Sequence, residues 1–230
     1  MALPLLNETP QYEMKIPSTG KKIRFRPYLV KEEKILMLAA ESKDINQITS
    51  AILDTIHVCT DGKVNRRELT TFDVEYMFLQ LRAKSVGENV ALRITCEECD
   101  HQNEHTVNID EIKCEVHKKN NLIEISDTVT VEMKYPGYDM LDFEQDPTDA
   151  GFAILAKCIK SVIVGEEKIN LADESEESIN NFIGSMTQAQ FEKVTSFIQD
   201  MPAVQHNIDF TCEGCGHKNI IELKGMQSFF

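Results

Sequence analysis

A chain of 230 residues with 42% hydrophobic and 27% charged side chains can bury a core as one large domain or two small ones. Its formal net charge is −14, and residues 139–180 alone hold 11 acidic against 3 basic side chains, which argues against nucleic acid and anionic membrane as partners, since both need clustered Lys and Arg. No apolar run nears the roughly 20 residues of a membrane span and no basic leader opens the chain. The expectation is therefore a cytosolic protein whose seven cysteines serve as thiols or metal ligands and form no disulfides.

In chain order, Tyr12 to Pro17 reads as a strand, Ser18 to Lys21 as a turn and Lys22 to Arg26 as the returning strand, stopped at Pro27. Val30 to Ser42 is expected as a helix, with Ile35, Leu36, Leu38 and Ala39 at helical spacing, and Ile45 to Val58 as a second, with Ile48, Ile52 and Ile56. Thr60-Asp61-Gly62-Lys63 turns the chain. Thr70 with Asp73 forms a capping-box pattern and opens a helix to about Lys84, with Val74, Met77, Phe78 and Leu81 inward.

The second half repeats this order. Val131 to Pro136 echoes Tyr12 to Pro17. Asp146-Pro147-Thr148-Asp149 carries a helix-start pattern, and that helix is expected to reach about Val164, burying Phe152, Leu155, Ile159 and Val162. Gly165 to Asn170 answers Asp61 to Asn65. Asp173 is expected to cap a short acidic helix. Thr187 with Gln190 opens another, with Phe191, Val194, Phe197 and Ile198 inward until Met201-Pro202.

One nine-residue stretch occurs twice. Thr95-Cys96-Glu97-Glu98-Cys99-Asp100-His101-Gln102-Asn103 returns as Thr211-Cys212-Glu213-Gly214-Cys215-Gly216-His217-Lys218-Asn219, with Thr, both Cys, Glu, His and Asn unchanged. Alternating apolar runs enter each C-x-x-C (Val90, Leu92, Ile94; Ile208, Phe210) and leave it (Val107, Ile109; Ile220-Ile221, Leu223). This is the pattern of a β-hairpin whose turn presents two sulfurs. Two sulfurs cannot close a structural site, and four suit tetrahedral zinc, so Cys96, Cys99, Cys212 and Cys215 are the candidate ligands of one structural Zn2+. Closing the loop between the pairs costs roughly 4 kcal/mol of chain entropy, well below the about 10–16 kcal/mol of structural zinc binding in small peptides. Gly216 suits the positive φ that follows the second cysteine; Asp100 holds that place in the first copy and tolerates it less well.

The plainer readings stand beside these. The hairpins could be metal-free turns, and a thioredoxin-like redox role requires a C-x-x-C that opens a helix. His101 and His217 are candidate substitute ligands, though such histidines are more often solvated or supporting groups. His101-Gln102-Asn103-Glu104-His105 matches the inverted zinc-peptidase pattern, which needs a helix where the sequence reads as strand. The acidic run Asp173-Glu174-Ser175-Glu176-Glu177 lacks calcium-loop spacing. Cys158 is expected in the core, Cys59 and Cys114 stand alone, and Phe229-Phe230 either folds back or docks on a partner. No phosphate loop, nucleophile elbow or carboxylate constellation is present, so no enzyme is expected.

The expected fold is α+β: two pseudo-repeats, residues 1–120 and 121–230, each of strands, helices and a zinc-ribbon-like C-x-x-C hairpin, packed as one unit around one shared zinc. Three further stretches carry a resemblance: Leu3 to Glu13, Pro27 to Lys34 and Leu69 to Tyr76. With the two hairpins they resemble the baseplate hub subunit, or hub assembly protein, of T-even-like contractile-tailed bacteriophages over nearly the whole chain. The resemblance implies a structural or assembly role beside other hub and tail proteins, in the host cytoplasm during assembly and in the virion tail, possible oligomers included. It carries no catalytic residues. The alternative is a zinc-ribbon module of a transcription or nucleic-acid complex, which requires a basic face beside the hairpins; Glu97, Glu98, Asp100 and Glu104 surround the first, with only Arg93 close in sequence.

Overall fold

The computed structural model describes residues 9–116, 120–138 and 147–229, leaving out the side chains of 147–150. The strands are β1 (Tyr12–Lys15), β2 (Lys22–Phe25), β3 (Asn89–Thr95), β4 (Gln102–Asn108), β5 (Lys113–Cys114), β6 (Leu122–Glu124), β7 (Val129–Met133), β8 (Ile159–Val164), β9 (Glu167–Asn170), β10 (Val204–Thr211) and β11 (Lys218–Lys224). The α-helices are α1 (Val30–Ser42), α2 (Ile45–Cys59), α3 (Thr71–Ser85), α4 (Pro147–Cys158), α5 (Glu176–Gly184) and α6 (Gln188–Gln199). The class is α+β with small antiparallel sheets, as expected: β1-β2, β3-β4, β11-β10-β5 and β6-β7-β8-β9.

Packing divides the chain into Met1–Val116 with Pro202–Phe230, and His117–Met201. This division cuts across the halves at residue 120, because the second C-x-x-C hairpin belongs to the same compact unit as the first. β5 joins the two segments of that unit by pairing with β10, Cys114 opposite Val204 and Lys113 opposite Gln205.

The first unit is built on α3. Thr70 caps it, its hydroxyl accepting from the Asp73 N–H, and Asp73 answers the Thr70 N–H at 3.0 Å, the reciprocal pairing of a capping box. The fully buried Asp73 carboxylate also accepts from the Ser18 N–H at 2.8 Å, tying the β1-β2 turn to the helix start. Val74, Met77, Leu79 and Leu81 have no exposed surface, and α3 packs on α2, β10 and two short 3₁₀ turns at Ile109–Glu111 and Met226–Phe229. A helix covered on several sides has no single apolar stripe, so the sequence pattern finds Val74, Met77, Phe78 and Leu81 but not Leu79. Phe229 is fully buried and thus folds back; Phe230 lies outside the described residues.

α1 has the expected bounds but not the expected face. Of Ile35, Leu36, Leu38 and Ala39, only Ala39 is buried; Ile35 and Leu38 are exposed together with Val30 and Met37. The inward position is taken by Glu32, which accepts from the Leu29 N–H at 2.7 Å and pairs with Arg26 at 3.0 Å. Burial works against the charged Glu32, yet the Arg26 guanidinium and the Leu29 amide prevail and hold its carboxyl below the usual range.

The second unit packs α4, α5 and α6 on the β6-β7-β8-β9 sheet around Val131, Met133, Leu155, Cys158, Ile159 and Val194. The expected helix to Val164 ends instead at Cys158, and Ile159–Val164 is strand β8 between β7 and β9. Ile159, Val162, Ile163 and Val164 are β-branched and fit a pleated surface better than a helix. The pairing with β7 skips Lys160, a bulge that hides the alternation marking a strand, and next to it stands buried Ser161. Its hydroxyl donates to Glu132 at 2.7 Å, and Lys160 and Lys168 reach the same carboxylate at 2.8 and 2.7 Å. Phe152, expected inward, is nearly half exposed and lies against Phe191 at 5.4 Å between ring centroids. Ser175, not Asp173, caps α5, accepting from the Ser178 N–H, while Asp173 closes a 3₁₀ turn. The Asp146 cap lies outside the described residues. Thr187 and Gln190 form the expected capping box of α6.

Candidate metal centre

Both C-x-x-C segments are the turns of β-hairpins in the same register. β3-β4 closes with Thr95 opposite Gln102, and β10-β11 with Thr211 opposite Lys218. Each turn is locked by the same two backbone bonds. Cys96 N–H donates to the His101 carbonyl at 2.9 Å and Asp100 N–H to the Cys96 carbonyl at 3.2 Å; the second copy has Cys212 to His217 at 2.8 Å and Gly216 to Cys212 at 2.9 Å. The residue after the second cysteine is left-handed in both, Asp100 at φ 56° and Gly216 at φ 76°. Asp100 bears a Cβ in a region where glycine is free, and its closing bond is the longer of the two.

The two turns meet. All four sulfurs lie within 4.8 Å of one another. Cys96 Sγ is 3.8 Å from Cys215 Sγ, and Cys99 Sγ is 3.7 Å from Cys212 Sγ. A disulfide needs about 2.05 Å. A tetrahedron with metal–sulfur bonds near 2.3 Å places its corners about 3.8 Å apart; these two spacings match that edge, and the four sulfurs together could hold one metal ion. Cys96 and Cys212 are buried, and Cys99 and Cys215 are exposed.

Electrostatics distinguish these pairs. Burial pushes the Cys212 thiol up, but the Cys215 and Gly214 amides, the Asn103 side chain and Cys96 overcome it and bring the group down to about 6. Cys96 is lowered in the same way: burial opposes, while the Glu98 and Cys99 amides and the Asn219 side chain prevail. At Cys99 the His101 amide favours the thiolate, yet the neighbouring Cys215 sulfur, desolvation and the other two sulfurs push it up to about 12. Cys215 is raised too: the His217 amide and Cys99 favour its thiolate, and desolvation, Cys212 and Cys96 outweigh them. Four thiols this close cannot all ionise in the absence of a cation, and a divalent ion removes that repulsion.

The other candidate residues are placed elsewhere. Among the described residues the only group of metal-ligand type gathered with these sulfurs is the cysteine set itself; His101 and His217 are not in it. His101 packs over the opposite turn, where a Cβ on Gly214 would stand 2.9 Å from its Cγ, so Gly214 is the residue that admits it. Glu104 and His105 lie in strand β4, and the peptidase pattern has no helix to gather its histidines. Cys158 and Cys59 are buried, where burial raises both thiols to about 11, and Cys114 is raised to about 12 for the same reason. Across the hairpins His105 faces Phe210 at 6.5 Å between ring centroids.

The sequence reading overlooked Asn103, Asn219 and Gly214. The only signal for the asparagines is their identity in both copies of the nine-residue stretch.

A family model described as T4 bacteriophage base plate protein matches residues 9–230. No curated protein and no solved structure matches the chain.

Proposed function

The chain belongs to the T4 bacteriophage base plate protein family, and on that footing we propose that it is a non-enzymatic structural or assembly component of the tail baseplate hub, closed by one zinc ion on Cys96, Cys99, Cys212 and Cys215. The observation that carries the metal half is the sulfur spacing of 3.7 and 3.8 Å. Tetrahedral four-thiolate sites take zinc or iron. Zinc suits a purely structural clamp because it has no redox chemistry and no geometric demand beyond the tetrahedron.

The assembly half is supported by family membership and by surface character. Val30, Ile35, Met37 and Leu38 are exposed on α1 beside Lys31 and Lys34, and exposed apolar side chains suit a protein that works among neighbours. Those neighbours are other baseplate and tail proteins, met in the host cytoplasm during assembly and kept in the virion tail. The duplicated hairpins are read as the remnant of a repeated unit that now shares one ion. Among the described residues no helix is long and apolar enough to cross a membrane. Against the nucleic-acid alternative, Arg93 is paired with Glu104 at 3.7 Å in the acidic setting of the first turn.

Metal analysis of the purified chain tests the ion: about one zinc per chain is expected, and a coloured iron protein or a metal-free one overturns it. Co-purification from infected cells tests the role. Baseplate proteins in the eluate support it, and a chain recovered with nucleic acid in a salt-dependent way favours the alternative.

A further inference from the structure

Asn103 and Asn219 hold equivalent places in the two hairpins and are almost wholly buried, 4% and 1% exposed. A buried primary amide must satisfy two donors and an acceptor. Each spends one donor within its own turn, Asn103 Nδ2 on the His101 carbonyl at 3.0 Å and Asn219 Nδ2 on the His217 carbonyl at 3.1 Å. Everything else crosses to the other hairpin. Asn103 Oδ1 accepts from the Glu213 N–H at 2.9 Å, and its Nδ2 faces Cys212 Sγ at 3.7 Å. Asn219 Oδ1 accepts from the Glu97 N–H at 3.0 Å, and its Nδ2 faces Cys96 Sγ at 3.5 Å.

We infer that Asn103 and Asn219 are positioning residues forming a reciprocal brace: each holds the opposite turn in place before a metal arrives and supplies a hydrogen bond to the first cysteine sulfur of that turn. The first half of this statement stands without a metal; the second rests on the four-cysteine reading above. The exchange is symmetric, so neither hairpin is the scaffold for the other. Only asparagine meets the whole demand. Aspartate keeps the acceptor but sets a carboxylate against a thiolate, alanine leaves a backbone N–H without its partner, and glutamine is one methylene too long for a packed site. N–H donors to ligand sulfur disperse the charge of a four-thiolate site, as supporting hydrogen bonds do at metal centres generally.

The test uses the full 15N-labelled chain, reduced and stripped with chelator, then loaded with Zn2+ or Co2+. Amide exchange is followed at Glu97 and Glu213 in wild type and in Asn103→Ala, Asn219→Ala, Asn103→Asp and Asn219→Asp. In the metal-free wild type both amides are expected to be protected by roughly tenfold or more, the ratio that one net hydrogen bond of about 1.4 kcal/mol confers. Asn219→Ala is expected to release Glu97 and leave Glu213, and Asn103→Ala to do the reverse. This crossed pattern is not produced by general loosening. The Asp variants are expected to keep the protection, since the acceptor remains, while every variant loses about 10- to 100-fold in zinc affinity and shifts the cobalt–thiolate absorption band. Free exchange of both amides in the metal-free wild type overturns the brace, and that measurement needs no variant to fold. Undiminished zinc affinity in all four variants overturns the role at sulfur. Crossed loss of protection in the two Ala variants, together with a wild type that takes up no metal, leaves the brace intact and rejects the metal reading instead.

Discussion

The sulfurs of Cys99 and Cys212 stand 3.7 Å apart although 113 positions of chain separate them. Contact at that distance along the sequence is held by packing of the hairpins, and four thiols this close could also hold a metal ion. A ligand that binds only the folded chain adds its binding free energy to stability. With free zinc at 100 times its dissociation constant the gain is about 2.7 kcal/mol, which moves the thermal midpoint of a chain this size by about 5–11 °C. Chelator is expected to remove that increment from wild type and to have no effect on Cys212→Ser, as read by scanning calorimetry with and without metal.

Asp73 is expected to contribute more than a helix cap. Thr70→Ala removes the cap hydroxyl and should cost about 1 kcal/mol. Asp73→Ala also orphans the Thr70 and Ser18 amides and should cost about 2–3 kcal/mol. Urea midpoints of the two variants decide it: equal losses would reduce Asp73 to an ordinary capping residue.

Acid should weaken the second unit through Glu132. Hydrogen bonds from Lys160, Lys168 and Ser161 hold its carboxyl at about 2, against an ordinary 4.5. A carboxyl depressed by folding gives its full stabilisation above the unfolded value and loses it as pH falls towards the folded one. The window therefore runs from about 4.5 down to about 2. The lysines are half exposed and solvent screens them, so the contribution is about 1–2 kcal/mol. In Glu132→Gln the stability profile across that window should flatten, which chemical denaturation at stepped pH will reveal.

Phe229 anchors the turn that follows β11. It is fully buried in a 3₁₀ turn that packs on α3 and β11. Phe229→Ala should cost about 3–5 kcal/mol, and faster amide exchange in α3 is the local signature expected. A loss below 1 kcal/mol would mean that this turn is not part of the core.

What could be read from the sequence followed the range of the interaction. Helix starts at Thr70 and Thr187 and the C-x-x-C turns are set by residues within a few positions of each other, and all were legible. Where two periods fit the same residues, the reading failed: the register shift that leaves Lys160 unpaired puts Ile159 and Val162 on one face three positions apart, which is also helical spacing. Burial of α1 was misread because the inward place went to a charged residue, Glu32, paired with Arg26. The sulfur cluster was legible because the same motif appears twice. Its asparagine brace was not, since a hydrogen bond across more than 100 positions (Glu213 to Asn103, 110; Glu97 to Asn219, 122) leaves no spacing signal.

The pairing of Cys114 with Val204 has a consequence for biosynthesis. The unit that carries the sulfur cluster takes its last strands from residues after Met201, so it stays unfinished on the ribosome while the interior segment, already complete, can fold. At about 5–20 residues per second the first hairpin waits several seconds for its mate with two thiols uncovered. During translation, Cys96 and Cys99 are therefore made well before the second pair of sulfurs that closes over them.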